Sequence, residues 1–557
     1  MIYLDLINDL TQFGIQPELV ASGDETLGSD LAMPCFRLAA EYKQSPNEIA
    51  VDIAQKISHE GIERAEAING YVNIWLKPSY IFKTIVTEYP TGDRLAATDE
   101  DKGTVVVEYV SQNLAKPLSI GHLRNALQGR AIAKIYEFAG WNVITDSHIG
   151  DWGTAFGMWA VGFKRFSSEQ ALQEGGNEEL GRAYVAVRNA LKQEAEAGET
   201  TLKDEVQDWL IRLESGDSEA LDMHSRFSEI SLNDGRRILG RLDISHDYEL
   251  GEAFFYKPTR AILERIINDG TAVEESDGSI VVPLDSEGID VPALIQKSNG
   301  AVLYLSSDIA TLEYRQKEWA PDKVIYVVGA EQQFHFKQLF ALNSILGSTD
   351  AELVHHWYGL VEEQDENGKR KKMSSRTGAV SLEDALNMAV EEASKNAKPE
   401  MTADDIEKVA IGALVFREFI QGAKNNVLFD WNDMFSMQGM SGPYIQYSAV
   451  RMNSVLEKAG GAPDYSHTYD WIAEKQLLRR LASFEAVCSA AVEEREGCKL
   501  AHYLYDLSKD LNRYYEQTHI LDDDAAVQAS RLWVIAYIRD HMVKVLDLLG
   551  IKVPSSM

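Results

Sequence analysis

Thr104-Val-Val-Val-Glu-Tyr-Val110, followed shortly by Asn113-Leu-Ala-Lys-Pro-Leu-Ser-Ile-Gly-His-Leu-Arg124, decides how this chain folds. The first run reads as a buried strand. The second opens a helix, because apolar residues recur at Ile120, Leu123, Leu127, Ala131 and Ile135, three or four apart on one face. A strand entering a helix through a small-residue turn leaves the first helical N–H groups pointing outward, where the helix dipole favours an anion. Gly121 removes the side chain that would hold a phosphate off the backbone, and His122, one residue further in, can donate a hydrogen bond to it. Ser119 is a favoured helix N-cap. A single histidine near a helix start is more often structural; the glycine before it and the strand ahead of it favour a functional reading here.

Working outward, Asn142–Thr145, Val302–Leu305 and Lys323–Val328 read as further strands separated by helical patterns. Such alternation predicts a parallel sheet with helices on both faces, with ligand sites beyond the carboxyl ends of the strands, where Asn113, Ser147, Ser306 and Gly329 fall. Between about 163 and 250 the sequence is charged and helix-rich, an insertion whose charges read as solvated faces. Residues 1 to about 95 form a first unit that ends in a Gly-containing turn and an alternating strand, Ala67–Leu76. After about residue 396 strand signals vanish, and Leu504, Leu507, Leu511 and Tyr514 predict a helical bundle.

With 557 residues the chain is long enough for roughly three or four domains. No apolar run approaches the ~18 to 20 residues of a membrane span, and the N-terminus, with acids inside its apolar pattern, does not read as a secretory leader. Three cysteines, Cys35, Cys488 and Cys498, without C-x-x-C spacing, support neither a disulfide framework nor a cysteine zinc site, and a cytoplasmic protein is expected. The formal charge of −33 opposes nucleic-acid binding only as a global average, since a local basic face can hold RNA on an acidic body.

A second motif, Lys371-Lys-Met-Ser-Ser-Arg-Thr-Gly378, sets cations and hydroxyls on a Gly-flanked segment suited to a triphosphate. Alone, it reads as a solvated basic turn. With the signature at 113–124, the chain resembles the class I aminoacyl-tRNA synthetases, and further stretches narrow the resemblance to the arginyl-tRNA synthetases. These are Val107-Glu-Tyr-Val-Ser-Gln-Asn113, His148-Ile-Gly-Asp-Trp-Gly-Thr154, Leu303-Tyr-Leu-Ser-Ser-Asp308, Gly329-Ala-Glu-Gln-Gln-Phe-His-Phe336, Gly442-Pro-Tyr-Ile-Gln-Tyr447 and the terminal Leu546-Asp-Leu-Leu-Gly-Ile-Lys-Val-Pro-Ser-Ser-Met557. Two departures stand out: Ser119 where the family usually has histidine, and Ser375 where the class has a second lysine, with Arg376 next to it.

The resemblance implies an α/β fold: a Rossmann-like catalytic domain at 98–395 with the helical insertion and the Lys-Met-Ser loop at 371–378, an N-terminal tRNA-contacting α+β appendage at 1–97, and an all-α anticodon-binding domain at 396–557. It implies activation of arginine by ATP, with magnesium and without zinc, then transfer to the terminal ribose of tRNA through its 2′-hydroxyl. The implied partners are tRNA, arginine and ATP, with no DNA or membrane, and a monomeric chain. Carried over residue by residue, Lys116, Ser119, His122, Lys372 and Arg376 are catalytic, and Gly121, Met373 and Ser374 join Lys116, His122 and Lys372 around ATP. In the family Lys116 is understood to compensate for the missing second lysine. Glu108, Asn113, His148, Tyr304, Asp308 and Gln332 are the arginine pocket, with Asp151 and His335 weaker candidates; Tyr447, Arg451 and Met557 face tRNA. A guanidinium needs carboxylates placed for paired hydrogen bonds, and Asp308, expected at the end of the strand 302–305, is the first choice. Glu108, an acid inside an apolar strand, calls for a partner. Two rivals are a small-molecule nucleotidylyltransferase, which needs no helical C-terminal module, and a non-catalytic RNA-binding relative, suggested by Ser119 and Ser375.

Overall fold

The computed structural model describes residues 2–24, 26–88, 102–114, 116–364, 370–372 and 381–557. It divides into two compact units: one comprises 1–100, 396–416 and 435–557, the other 101–395 and 417–434.

In the first unit, β1 (Ala21–Ser22), β2 (Leu31–Pro34), β3 (Ile62–Ile68) and β4 (Tyr71–Leu76) form an antiparallel sheet in the order β1-β2-β4-β3. The helix Pro46–Lys56 opens with a capping box, in which Ser45 and Glu48 satisfy each other's backbone N–H groups. The same unit holds the C-terminal helices. Phe82 stacks on Trp471 with ring centroids 3.7 Å apart, and Arg479 Nε lies 2.7 Å from Asp30 Oδ1, so an N-terminal helix and sheet share a core with the bundle. Leu504, Leu507, Leu511 and Tyr514 are buried on the helix Cys498–Gln517, as their spacing predicts. The three cysteines are buried and form no disulfide.

The second unit is built on β5 (Thr104–Glu108), β6 (Asn142–Ile149), β7 (Tyr248–Gly251), β8 (Val273–Glu274), β9 (Ile280–Val282), β10 (Ala293–Gln296), β11 (Lys323–Gly329), β12 (Glu352–Tyr358), β13 (Val361–Gln364), β14 (Arg370–Lys372) and β15 (Val427–Leu428). Five of these form the central sheet, order β12-β11-β5-β6-β7, with every pairing parallel. The chain leaves β5 toward β6 on one side and returns to β11 on the other. The carboxyl ends of β5 and β11 therefore border the crevice where ligands sit in such sheets. The helix Ile120–Phe138 follows β5 and packs so closely that a Cβ on Gly129 would lie 2.2 Å from the Tyr109 ring.

Several sequence expectations are corrected. Val302–Leu305 is no strand: Val302 makes an isolated bridge to Gln296, and a helix, Tyr304–Trp319, begins two residues on. Short apolar runs do not distinguish strand from helix, and Leu305, Ile309 and Leu312 are buried at helical spacing. Ser306 is accordingly in that helix, its Oγ donating to Ile295 O. Strand β6 runs past Thr145 to Ile149 because β7 pairs with it, so Ser147 and His148 lie in the strand rather than beyond it. The β5 strand stops at Glu108, and Val110 takes a left-handed φ of 56°. The helical insertion begins ahead of 163, at Thr154–Phe166, whose Gly157 lies so close to the helix Thr201–Glu214 that a Cβ would meet Val206 O at 2.2 Å. One short strand, β15, follows residue 396, where none was expected.

Candidate functional site

The turn before the helix Ile120–Phe138 is ordered by its own side chains. Ser119 N–H donates to His122 Nδ1 (3.0 Å), and Ser119 Oγ lies 3.1 Å from the same nitrogen. An Nδ1 that accepts from the backbone leaves the proton on Nε2, facing outward as a donor. Burial lowers the His122 pKa, and the charge of Lys116 adds to this, so the ring is neutral at pH 7. Gly121 is exposed, and a Cβ there would meet only Ser119 Oγ, at 3.5 Å, so the protein leaves this surface open. Lys116 is exposed beside the turn, its N–H donating to Asn113 O. Of the second motif, Met373, Ser374, Ser375 and Arg376 lie outside the described residues, and only the backbone of Lys372 is described, as the end of β14.

Behind this turn, at the end of β5, Glu108 has a partner that sequence reasoning missed. Arg315, fully buried in the helix Tyr304–Trp319, places Nη2 2.5 Å from Glu108 Oε2 and 2.7 Å from Asp146 Oδ2. Burial opposes the guanidinium charge, but the two carboxylates outweigh it and hold its pKa above the ordinary value. Burial raises the Asp146 pKa, with Arg315 working against that rise. One buried guanidinium thus serves two carboxylates at the base of the site.

Above it the charges do not match. Tyr304 and Asp308 are four apart on one face of that helix, with Tyr304 67% exposed. Asp308 Oδ2 lies 2.7 Å from His335 Nε2, on the helix Gln333–Leu346. Burial works against charge on His335, yet the Asp308 bond and the charges of Asp308 and Glu108 prevail and raise its pKa. Glu252, at the start of the helix Glu252–Asn268, has a pKa raised to about 8, by burial first and then by the negative charges of Asp151 and Asp308. Burial likewise raises Asp151, whose Oδ1 accepts from Ala253 N–H. Tyr304 is raised by burial and by Glu252. Glu252, Asp151 and Asp308 thus act on one another, with His335 against Asp308 and His224 3.9 Å from Asp151 as neighbouring imidazoles. His148, in β6 against Phe255, keeps a buried Nδ1 with no hydrogen-bond partner. Asn113 is exposed and bridges to Gly150, and Gln332 is exposed where β11 gives way to the next helix.

One further residue, Asn125, ties the strand ends at this crevice together. Asn125 accepts from Val110 N–H (2.5 Å) and donates to Val327 O (2.6 Å), which pins the left-handed Val110 between the ends of β5 and β11. In the first unit, Tyr447 is 39% exposed on the helix Gly442–Ala459, and Arg451, four residues on, stacks its guanidinium 4.3 Å over the Tyr515 ring. Met557 O accepts from Lys398 Nζ.

Three family models match the chain: "tRNA synthetases class I (R), catalytic domain" over residues 86–431, "DALR anticodon binding domain" over 445–557, and "Arginyl tRNA synthetase N terminal domain" over 6–76. The chain is 34% identical to an arginine–tRNA ligase of Exiguobacterium sibiricum, covering 99% of this chain and 98% of that one. It is 32% identical to that of Clostridium perfringens, with 100% and 97% covered. Among solved structures, its fold is like that of Thermus thermophilus arginyl-tRNA synthetase, with a TM-score of 0.81, 24% identity and 100% of both chains covered. The Plasmodium falciparum arginyl-tRNA synthetase gives 0.78 at 22% identity, with 100% of this chain and 99% of that one covered. The chain belongs to the arginyl-tRNA synthetase family of class I aminoacyl-tRNA synthetases.

Proposed function

We propose that this chain is an arginine–tRNA ligase. It activates L-arginine with ATP, giving arginyl-AMP and pyrophosphate, and passes the arginyl group to the 3′-terminal adenosine of its tRNA. The observation that carries this reading is the crowding of three carboxyls, Glu252, Asp151 and Asp308, which together with burial holds Glu252 at about 8. A buried carboxyl held near pH 8 is the mark of a site short of a cation, and a guanidinium is a permanent one with donors in a fork. In this role Asp308 and Glu252 take the guanidinium, with Tyr304 and Gln332 along its wall. Asn113 and Glu108 serve the amino-acid end, Glu108 aimed by its ion pair with Arg315. His148 has a ring nitrogen to spare for the same end.

In the first step the arginine carboxylate attacks the α-phosphorus and the bond to pyrophosphate breaks, so negative charge builds on the leaving group. Gly121 and the helix start receive the phosphates, and His122 donates from Nε2. Lys116, with Lys372 and Arg376, balances the departing charge, while Met373 and Ser374 complete the nucleotide side. In the second step the 2′-hydroxyl of the terminal ribose attacks the arginyl carbonyl, AMP leaves, and the hydroxyl proton passes to phosphate or solvent. Magnesium enters this scheme with the ATP substrate, whose triphosphate charge it shares.

The N-terminal segment 1–97 and the region from 396 are the tRNA-reading parts of this proposal, flanking the catalytic segment 98–395, with Tyr447, Arg451 and Met557 as contacts. The proposal takes the enzyme to be a cytoplasmic monomer, in keeping with a role in charging tRNA; separately, no described helix is long and apolar enough to cross a membrane. Charging total tRNA with each amino acid in turn tests the reading. Arginine alone should be attached; attachment of a different amino acid, or of none, would overturn it.

A further inference from the structure

Arg124, two residues beyond His122, is only 1% exposed, so its charge serves the protein rather than a ligand. Its Nε sits 2.9 Å and 3.0 Å from the two oxygens of Glu418, which is itself buried. Nη2 donates to Ala423 O and Nη1 to Asn425 O, each at 2.9 Å, and Nη1 also approaches Leu360 O at 3.5 Å. One turn along the same helix, Gln128 Nε2 donates to Glu418 Oε1 at 2.7 Å.

The carbonyls that Arg124 holds carry the base of β13. Ala423 O also accepts from Gly359 N–H, Val427 N–H donates to Leu360 O, and Asn426 Oδ1 accepts from Leu360 N–H. From there β13 runs parallel to β15, and β14, which ends at Lys372, pairs antiparallel with β13. The chain beyond residue 380 is tied to the same helix start. Leu382 N–H donates to Leu118 O (2.8 Å), and Ser119 and Ser381 form a bridge. The strand that leads to the Lys-Met-Ser motif and the residues that follow the motif are both fastened to the His122 turn, the first through Arg124 and the second through Leu118 and Ser119.

We propose that Arg124, with Glu418 as its counter-charge, is a positioning residue for adenylate formation: it sets the β13–β14 pair, and hence Lys372, against the His122 turn. This rests on the reading of the chain as an ATP-dependent ligase. An arginine suits the task because its planar fork reaches a carboxylate and two carbonyls at once, whereas an ammonium offers no such fixed geometry. Among the described residues Arg124 makes no hydrogen bond to the arginine pocket, which is held instead by Asn125, Arg315 and His335. Its loss should therefore be felt by ATP and not by arginine.

The test is Arg124→Lys and Glu418→Gln in the full chain. The readouts are ATP and arginine KM and kcat for tRNA charging, binding of radiolabelled ATP by equilibrium dialysis, and the Tm. A misplacement of roughly 1 Å costs on the order of 100-fold in rate. Arg124→Lys should lower kcat by about that factor and raise the ATP KM and dialysis Kd several-fold, leaving the arginine KM within about twofold. Glu418→Gln should move the same quantities in the same direction but less, because the carbonyl bonds survive; if Arg124→Lys fails to fold, this variant decides. Equal shifts in both KM values, or a kcat loss that only tracks the folded fraction, would overturn the proposal. Failure of the unaltered protein to charge arginine would instead overturn the ligase reading, while the dialysis result would still judge Arg124.

Discussion

His335 Nε2 lies 2.7 Å from Asp308 Oδ2, so this carboxylate already has a hydrogen-bonded imidazole beside it, whose pKa it raises. On the ligase reading, Asp308 is thereby held in place for a guanidinium that would share or replace this bond. Asp308→Asn keeps the shape and removes the charge. Truncating one partner of a buried, hydrogen-bonded charge pair costs about 2–5 kcal/mol, so the arginine KM should rise on the order of 100-fold or more. The ATP KM should stay near its original value, and steady-state charging kinetics in both substrates check this. An unchanged arginine KM would remove Asp308 from the pocket.

Glu252 makes arginine binding depend on pH. Its pKa in the folded, ligand-free protein is about 8, above the ordinary 4.5. The folded chain therefore binds a proton that the unfolded chain releases between those values. The stabilisation this gives is complete below pH 4.5 and is lost as pH rises through about 8. Arginine favours the ionised carboxylate, so binding at pH 7 should expel up to about one proton, and the arginine KM should fall between pH 6 and 8. Calorimetry in buffers of different ionisation enthalpy counts the proton. Glu252→Gln should abolish the release and flatten the pH dependence.

The phosphate-binding half of the site was legible because local rules specify it: strand, small-residue turn, N-cap and helix lie within thirty or so residues. The guanidinium-binding half was legible only through resemblance, and its frame was misread. Asp308 reads as a strand end, yet it projects from a helix, because Ala301-Val-Leu-Tyr-Leu305 is too short to show its period. Glu252 gave no signal, since an acid in a helix's first turn is ordinary capping chemistry; only β7 beside β6 brings it to Asp151. Arg315 gave no signal either, and its two acids lie 169 and 207 residues away in the chain. Pairing over such separations leaves no mark on any local pattern.

That Arg315 triad should govern stability as well as arginine binding. Removing one member of a buried ion network leaves the others desolvated and unpaired, at a cost of about 3–5 kcal/mol. Arg315→Met should therefore lower the denaturation midpoint sharply, because Glu108 and Asp146 would be left facing each other in β5 and β6. Glu108→Gln should cost less, because Asp146 still neutralises Arg315, but it should weaken arginine binding. Chemical denaturation alongside arginine titration separates the two effects. If Arg315→Met unfolds at the same denaturant concentration as the unaltered protein, the triad is not the buried charge network described here.

Lys116 carries the sharpest prediction on chemistry. The class pattern has a second lysine where this chain has Ser375, so an ammonium expected near the departing pyrophosphate is missing. Lys116 stands exposed three residues before the Ser119 cap, close enough for its charge to depress the His122 pKa. A preplaced cation that meets charge only as it develops lowers the barrier without tightening the ground state. Lys116→Ala should thus reduce kcat by about 100- to 1000-fold while leaving the arginine KM in place. The His122 pKa should rise at the same time, because one of the two influences that depress it is gone, and proton NMR of that imidazole reads the change. Restoring an ammonium by Ser375→Lys in the Lys116→Ala background should recover part of the rate. No recovery, with His122 also unmoved, would place Lys116 away from the nucleotide and leave the triphosphate to the helix start alone.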